Sequence, residues 1–273
     1  MLLHNQFVFS TGLRVRNFLY RLQVLSIQQQ LKERKKDQKI AYLRLRPQFE
    51  KLYKTLTGYE IEKFVTPWWD RFNKQLERKF LPFPPFSFLN NPIIMFTMFA
   101  TSGGKLIREE LAFIQRVMSM QKREKILEED YIGNPLLYRS SLLTSQTAIH
   151  HLYHLARFTQ VTKTSIQNLK TIVEWGGGYG SLAKIFLRLH EKSCTYIIID
   201  TPFFCTLQWL YLSVVFGEKK VHVIKNSSSK IKPNMINIIP LGLLDMVNIK
   251  ADLFISTWAI SESASYADRK SVV

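Results

Sequence analysis

The run Thr171-Ile172-Val173-Glu174-Trp175-Gly176-Gly177-Gly178-Tyr179-Gly180 leaves the chain around it few folding options. A short β-branched stretch ends in a carboxylate, glycines follow at 176, 178 and 180, and Ser181 to His190 return to a helical pattern. That order predicts strand, tight turn and helix. Glycine there allows a sharp turn off the strand, a bare backbone that a ligand can approach, and close packing of helix on sheet. The helix then opens with unpaired N–H groups facing whatever lies above the turn.

The register of the glycines narrows the ligand. A dinucleotide fingerprint runs Gly-x-Gly-x-x-Gly; counted from Gly176, its last position falls on Ser181, and Gly180 arrives one residue early. The Gly-Lys-Ser/Thr ending of a phosphate-binding loop is absent. What remains is Glu-x-Gly-x-Gly-x-Gly, with a carboxylate two residues before the first glycine. That carboxylate would repel a pyrophosphate and attract an ammonium group, so the predicted ligand is small and cationic at one end.

Two more segments point to the same edge. Thr195 to Asp200 is an apolar strand with an acid at its carboxyl end, where a neighbouring parallel strand would hold an acceptor for a ribose diol. Asp200 also precedes Thr201-Pro202, the start of a predicted helix, so helix capping is a second reading of it. Ala251 to Trp258 is another buried-type strand, opening into Ser256 and Thr257 and followed by Glu262. Three strands are thus predicted to end in polar groups along one edge of a parallel sheet.

These residues resemble the class I S-adenosylmethionine-dependent methyltransferases. The blocks Glu-Trp-Gly-Gly-Gly-Tyr-Gly-Ser-Leu-Ala, Tyr-Ile-Ile-Ile-Asp-Thr-Pro and Leu-Phe-Ile-Ser-Thr-Trp-Ala-Ile-Ser-Glu are most similar to the sugar O-methyltransferase group among them. The resemblance spans about residues 128 to 268. It implies S-adenosyl-L-methionine as cofactor, with Glu174, Gly176, Gly177, Gly178, Tyr179 and Gly180 around its methionine part, Asp200 at the ribose hydroxyls, and Thr201, Ser256 and Thr257 completing the site. It also implies an α/β fold with a Rossmann-like, doubly wound parallel sheet, and a sugar or glycan hydroxyl as acceptor. Pro240 to Asp245 corresponds to the adenine wall, behind two candidate strands, Val221 to Ile224 and Met235 to Ile239. The family's sheet continues for three strands past this point, whereas 15 residues follow Trp258, so the sheet is expected to stop after its fourth strand, C-terminally incomplete.

Methyl transfer is an in-line displacement in which the protein mainly aligns donor and acceptor. A sugar hydroxyl is a poor nucleophile, and a general base or a metal would help it; His150, His151, His154 and Glu262 are the candidates, with His151 and Glu262 put first. At 100° per residue on a helix over Thr144 to Phe158, His150 and His154 share one face and His151 lies on the next. Histidines at i and i+4 can grip zinc, but no glutamate base stands between these and no third ligand is in sight, so no metal is assigned.

Ahead of the sheet the chain reads as helical. Gln23 to Leu45 predicts one long helix, Gln48 to Leu56 a second, Pro67 starts a third, and helix resumes from Asn91 to about Glu129 with a break at Gly103-Gly104. This gives a helical region over 1–165, with an internal boundary near 81–90 where Pro82, Pro84 and Pro85 forbid regular helix, and a cofactor-binding unit over 166–273. A 46% hydrophobic composition is enough for a real core. Cys194 and Cys205 form no Cys-x-x-Cys pair, which argues against disulfide or metal use and for a reducing, cytoplasmic setting.

No segment reaches the roughly 18 apolar residues of a membrane span. The longest, Phe203 to Phe216, carries Gln208 and suits a buried helix against the sheet. Of the net charge of +17, +10 lies in residues 1–100. Mixed-sign runs such as Lys32 to Lys39 read as a solvated helix face, with an anionic partner, nucleic acid included, as the alternative. Nucleic acid is not favoured, because the Asn/Asp-Pro-Pro-Tyr block of amino-directed DNA methyltransferases is absent. Arg14, Arg16 and Arg21, with no acid before Glu33, read as a basic first helix rather than a transit peptide. The oligomeric state stays open.

Overall fold

Strands β1 (Thr171–Trp175) and β2 (Thr195–Asp200) are runs of β-branched and aromatic residues with both faces buried, the pattern of a parallel sheet covered on both sides. The computed structural model describes residues 26–98, 104–138 and 142–270. The expectations about Arg14, Arg16, Arg21, the helix start at Gln23 and the break at Gly103 lie outside them.

The protein is α/β, with a helical N-terminal region and a five-stranded, all-parallel sheet in the order β3-β4-β2-β1-β5. A sheet stopping after four strands is therefore corrected. Both candidate strands join it: β3 (Val221–Val223) pairs with β4 (Ile236–Pro240), and β4 pairs with β2. The loop between them is folded around Asn237, which is buried in the sheet. Its Nδ2 donates to the carbonyls of Lys232 and Met235, and its Oδ1 accepts from Lys232 N–H. The last strand, β5 (Leu253–Ile255), is shorter than expected and forms an edge. Among the described residues it pairs with β1 alone, and Phe254 is 42% exposed where a buried strand was anticipated.

Among the described residues the helices ahead of the sheet are α1 (Lys36–Leu45), α2 (Phe49–Leu56), α3 (Pro67–Phe80), α4 (Pro92–Met98), α5 (Gly104–Val117), α6 (Met120–Leu127) and α7 (Gln146–Thr162), with a further helical stretch over 26–34. The long helix expected through Leu45 is broken at Lys35, whose φ of −118° and ψ of 26° are not helical. Within the sheet region, α8 (Ser181–His190) crosses from β1 to β2 and α9 (Pro202–Phe216) from β2 towards β3. Short helices α10 (Ala259–Glu262) and α11 (Ser265–Lys270) follow β5.

One hydrophobic core runs from the N-terminal helices through α8 and α9 to the sheet face carrying Ile172, Tyr196, Ile198, Ile236 and Ile238. Phe203 lies at its centre, with the rings of Phe49 and Phe80 edge-on to it at 6.3 and 5.4 Å. Helix α9 is apolar all round and is packed on every side, the arrangement expected for Phe203 to Phe216. The other face, with Val173, Trp175, Ile197 and Ile199, is closed by Phe64, Leu241, Leu243 and Ala267, from connecting segments and α11. Among the described residues no helix is long and apolar enough to cross a membrane.

A buried ionic cluster joins the helical region to the sheet. Lys184 of α8 is fully buried, and its Nζ sits 2.5 Å from Glu129 Oε2, whose other oxygen accepts from Ser145 Oγ at 2.5 Å. Arg188, one turn on, forks onto Asp130 at 2.8 and 3.0 Å, and Gln38 Nε2 reaches the same carboxylate at 2.7 Å. Removing one member of such a pair strands the other charge, which costs about 3–5 kcal/mol, while replacing both by apolar groups is close to neutral. Lys184→Ala should lower the unfolding free energy read from urea denaturation by that margin, and Lys184→Met with Glu129→Leu should recover most of it.

Candidate functional site

The glycine turn forms between β1 and α8 as the spacing predicts. Gly176 N–H continues the ladder to Ile199 O at 2.9 Å, after which Gly176 and Gly178 take φ of 69° and 57°, values that L side chains rarely adopt. Gly176 also permits a contact that no spacing rule shows: a Cβ there would lie 2.1 Å from Ala259 Cβ, so its absence lets the segment after β5 lie on the turn. At Gly178 an added Cβ would meet Met98 Sδ at 3.0 Å. The start of α8 at Gly180 has no side-chain cap.

Asp200, at the end of β2, holds this turn. Its Oδ2 accepts from Gly178 N–H at 3.1 Å and from Gln208 Nε2 at 2.8 Å, and its Oδ1 accepts from Thr201 N–H at 2.7 Å. Thr201, not Asp200, occupies the cap position of α9. A carboxylate offers about four acceptor positions, so one remains on Oδ1 for a ligand hydroxyl. Gln208 also donates to Gly178 O at 2.9 Å, which makes it a second clamp on the turn. As a buried amide inside an otherwise apolar helix, it was visible in the sequence, though its target was not.

Glu174 is 3% exposed, and its Oε2 accepts from Tyr196 O–H at 2.9 Å. Gly177 makes room for it, since a Cβ there would stand 3.3 Å from that oxygen. Burial pushes the Glu174 carboxyl up to about 8, with the charge of Asp200 adding to the rise and the Tyr196 hydrogen bond opposing it. Burial likewise pushes Asp200 up to about 7, against the lowering effect of the donors from Thr201, Gly178 and Gln208.

These groups face a cleft, partly open to solvent, at the carboxyl ends of β1 and β2. Of the residues singled out in the sequence, Glu174, Gly176, Gly177, Gly178, Tyr179, Asp200, Thr201, Thr257, His151 and Glu262 all line it. Two do not. Gly180 is turned towards α9, where a Cβ would touch Leu212 at 3.1 Å, and Ser256 Oγ accepts from Ile260 N–H, holding the start of α10.

The helical region supplies much of the remaining wall: Phe64, Val65, Trp69, Thr97 and Met98. Sequence reasoning missed these, because nothing in a helical period says which face meets a cleft 100 residues further on. Trp69 Nε1 donates to Glu262 Oε2 at 3.2 Å, and Trp175 Nε1 to Ser263 Oγ at 3.0 Å, so two indoles tie the segment after β5 across the opening. Among the described residues lining the cleft there is no Lys or Arg, although the chain carries +17.

The histidines divide into two roles. His151 Nδ1 lies 3.2 Å from Ser181 Oγ; burial, with the charges of His150, His154 and Lys184, holds its imidazole down to about 3. It is therefore neutral at pH 7, able to exchange a hydrogen bond and a weak proton acceptor. His150 and His154 face each other, Nε2 to Nε2 at 2.9 Å, and His150 Nδ1 meets Glu110 Oε1 at 2.7 Å. The His150 ring stacks on Trp258 with centroids 5.4 Å apart and planes 7° apart, backing one wall of the cleft. Among the described residues no group of three His, Cys, Asp or Glu side chains is placed to hold a metal ion.

Gly176→Ala should destabilise the protein by about 1–3 kcal/mol through left-handed strain and the clash with Ala259. Adding Ala259→Gly should recover the clash but not the strain, as a double-mutant cycle by thermal unfolding would read. The two raised carboxyls predict a pH effect with a definite sign. The folded state binds protons that the unfolded chain, with ordinary values of 4.5 and 3.8, has already released, so this stabilisation is complete below about pH 4 and is lost as pH rises through 7 and 8. Denaturation of the ligand-free protein at pH 6 and pH 9 should show the loss, and Glu174→Gln with Asp200→Asn should reduce it. No protein-family model matches the chain, and no curated protein matches it.

Proposed function

We propose that the protein is an S-adenosyl-L-methionine-dependent methyltransferase acting on a sugar or glycan hydroxyl. The observation that carries this reading is the sign of the cleft: Glu174, Asp200 and Glu262 among aromatic rings, with no basic side chain lining it, in a strongly basic protein. Phosphorylated cofactors seek cations, whereas a sulfonium bearing an ammonium group is favoured by carboxylates and ring faces. The position supports the same reading. β2 and β5 flank β1, so strand order reverses there, which is where open parallel sheets of the Rossmann-like, doubly wound kind take their ligands.

The residues present fit such a cofactor. Glu174 would take the ammonium group, and the open position on Asp200 Oδ1 a ribose hydroxyl. Behind the cleft lining, Asn73 accepts from Thr201 Oγ1 at 3.1 Å, and among the described residues neither its Nδ2 nor Gln208 Oε1, both buried, meets a partner. Buried orphans of this kind gain by meeting a polar ligand or an ordered water. The bound cofactor supplies an electrophilic methyl group. The chain's part is to exclude water with Phe64, Trp69 and Trp258, and to present the acceptor in line. Glu262, steadied by Trp69, is the group positioned to take the acceptor's hydroxyl proton; neutral His151 positions rather than deprotonates. Trp258 is 50% exposed with one face on His150, leaving the other for the apolar face of a sugar ring.

Calorimetric titration with S-adenosylhomocysteine tests the cofactor assignment. The wild type should bind, and Asp200→Ala and Gly178→Val should each weaken binding by about tenfold or more, the loss of a charge-assisted hydrogen bond or of the turn's shape. Undiminished binding in both variants would refute this cofactor site.

A further inference from the structure

Glu174 and Asp200 point into the cleft from the same face of the sheet. Glu174 stands opposite Ile198 in the parallel register of β1 and β2, and Asp200 follows Ile198 by two residues, the period at which side chains return to one face. Both are buried, at 3% and 7% exposure, and among the described residues the groups that hydrogen-bond or act electrostatically on them are neutral or acidic. Around Glu174 these are the Tyr196 hydroxyl and Asp200 from β2, and other titratable side chains lining the same cleft, His151 from α7 and Glu262 from α10, carry no positive countercharge to it. Around Asp200 they are the N–H groups of Gly178 and Thr201, the Gln208 amide from α9, and Cys205, whose thiol donates to the Asp200 carbonyl at 3.3 Å. The cations of the ionic cluster under α8 are committed elsewhere: buried Lys184 to Glu129 and Asp130, and partly buried Arg188 to Asp130.

Two buried carboxylates without a countercharge have two ways to be neutralised: bind protons or admit a cation. We propose that the cleft is a proton-exchanging cation site, in which this carboxyl pair, Glu174 foremost, holds a proton when the cleft is empty and releases it to solvent when an ammonium-bearing ligand enters. The ammonium keeps its own hydrogens; the carboxyl O–H breaks, its proton goes to buffer, and a carboxylate–ammonium pair replaces it. Glu174 leads because it has a single hydrogen-bond donor where Asp200 has three, and it holds its proton to the higher pH of the two. The fold thereby couples ligand affinity to pH, with tighter binding as pH rises towards 8. The inference rests on the methyl-donor reading for its choice of probe.

The experiment is calorimetry with S-adenosylhomocysteine in phosphate and in Tris, buffers of different ionisation heat, between pH 6 and pH 8.5. 5′-Methylthioadenosine, which lacks the ammonium group, serves as the control ligand. The expected result is release of about one proton per S-adenosylhomocysteine near pH 7, and an affinity that falls about tenfold per pH unit below it. 5′-Methylthioadenosine should release less and bind with a flatter profile. Glu174→Gln, which can still accept from Tyr196, should flatten the profile for S-adenosylhomocysteine and weaken its binding at pH 8.5. Binding that is independent of pH, with equal heats in both buffers, would overturn the proton exchange and leave the cofactor reading intact. Failure of S-adenosylhomocysteine to bind at any pH would overturn both.

Discussion

The hydrogen bonds from Gly178 N–H and Gln208 to the Asp200 carboxylate are the interaction on which the cleft depends. They fix the backbone between β1 and α8 in a left-handed turn that has no side chains of its own to stiffen it, and they do so from the neighbouring strand. The turn's shape then sets everything above it: the room beneath Gly177 for Glu174, and the seat on Gly176 for Ala259. The loop is ordered by β2 and α9, so its precision comes from tertiary contacts rather than from local preference.

The helical region is part of the same core, not an attachment to it. Phe49, Phe80 and Phe203 pack together, and the Glu129–Lys184 and Asp130–Arg188 pairs are buried where helix α8 meets the segment before α7. Burying those charges gives the docking a definite register, because every charge must find its partner. That register places Phe64, Trp69 and Met98 against the glycine turn and makes a walled cleft out of what would otherwise be an open sheet edge.

Charge is segregated within the molecule. The chain is basic, yet the lining of the cleft bears carboxylates, aromatic rings and a neutral histidine. At the low effective dielectric of a buried site, nearby signs outweigh the net charge of a solvated surface, which salt screens within about 10 Å. The ligand is therefore selected by Glu174 and Asp200, and the surrounding lysines and arginines bear on whatever meets the outside.

How much could be read from the amino-acid order follows from the range of the interactions involved. The strand, glycine turn and helix at 171–190, the acid ending β2 and the buried helix over 202–216 rest on local patterns: β-branched runs, glycine spacing and apolar content. Those patterns also marked Glu174, Asp200, His151 and Glu262, all of which face one cleft. Only tertiary structure decided that Val221–Val223 adds a fifth strand, that β5 is a half-exposed edge, and that Ser256 and Gly180 turn away from the site. It also decided that Trp69, Thr97 and Met98 line the cleft, and that two buried carboxyls interact there with no countercharge among the described residues. Sequence alone determines which backbone shapes are affordable and which faces are apolar; which distant side chains share a buried space is decided by packing, where burial above all moves the Glu174 carboxyl up to about 8.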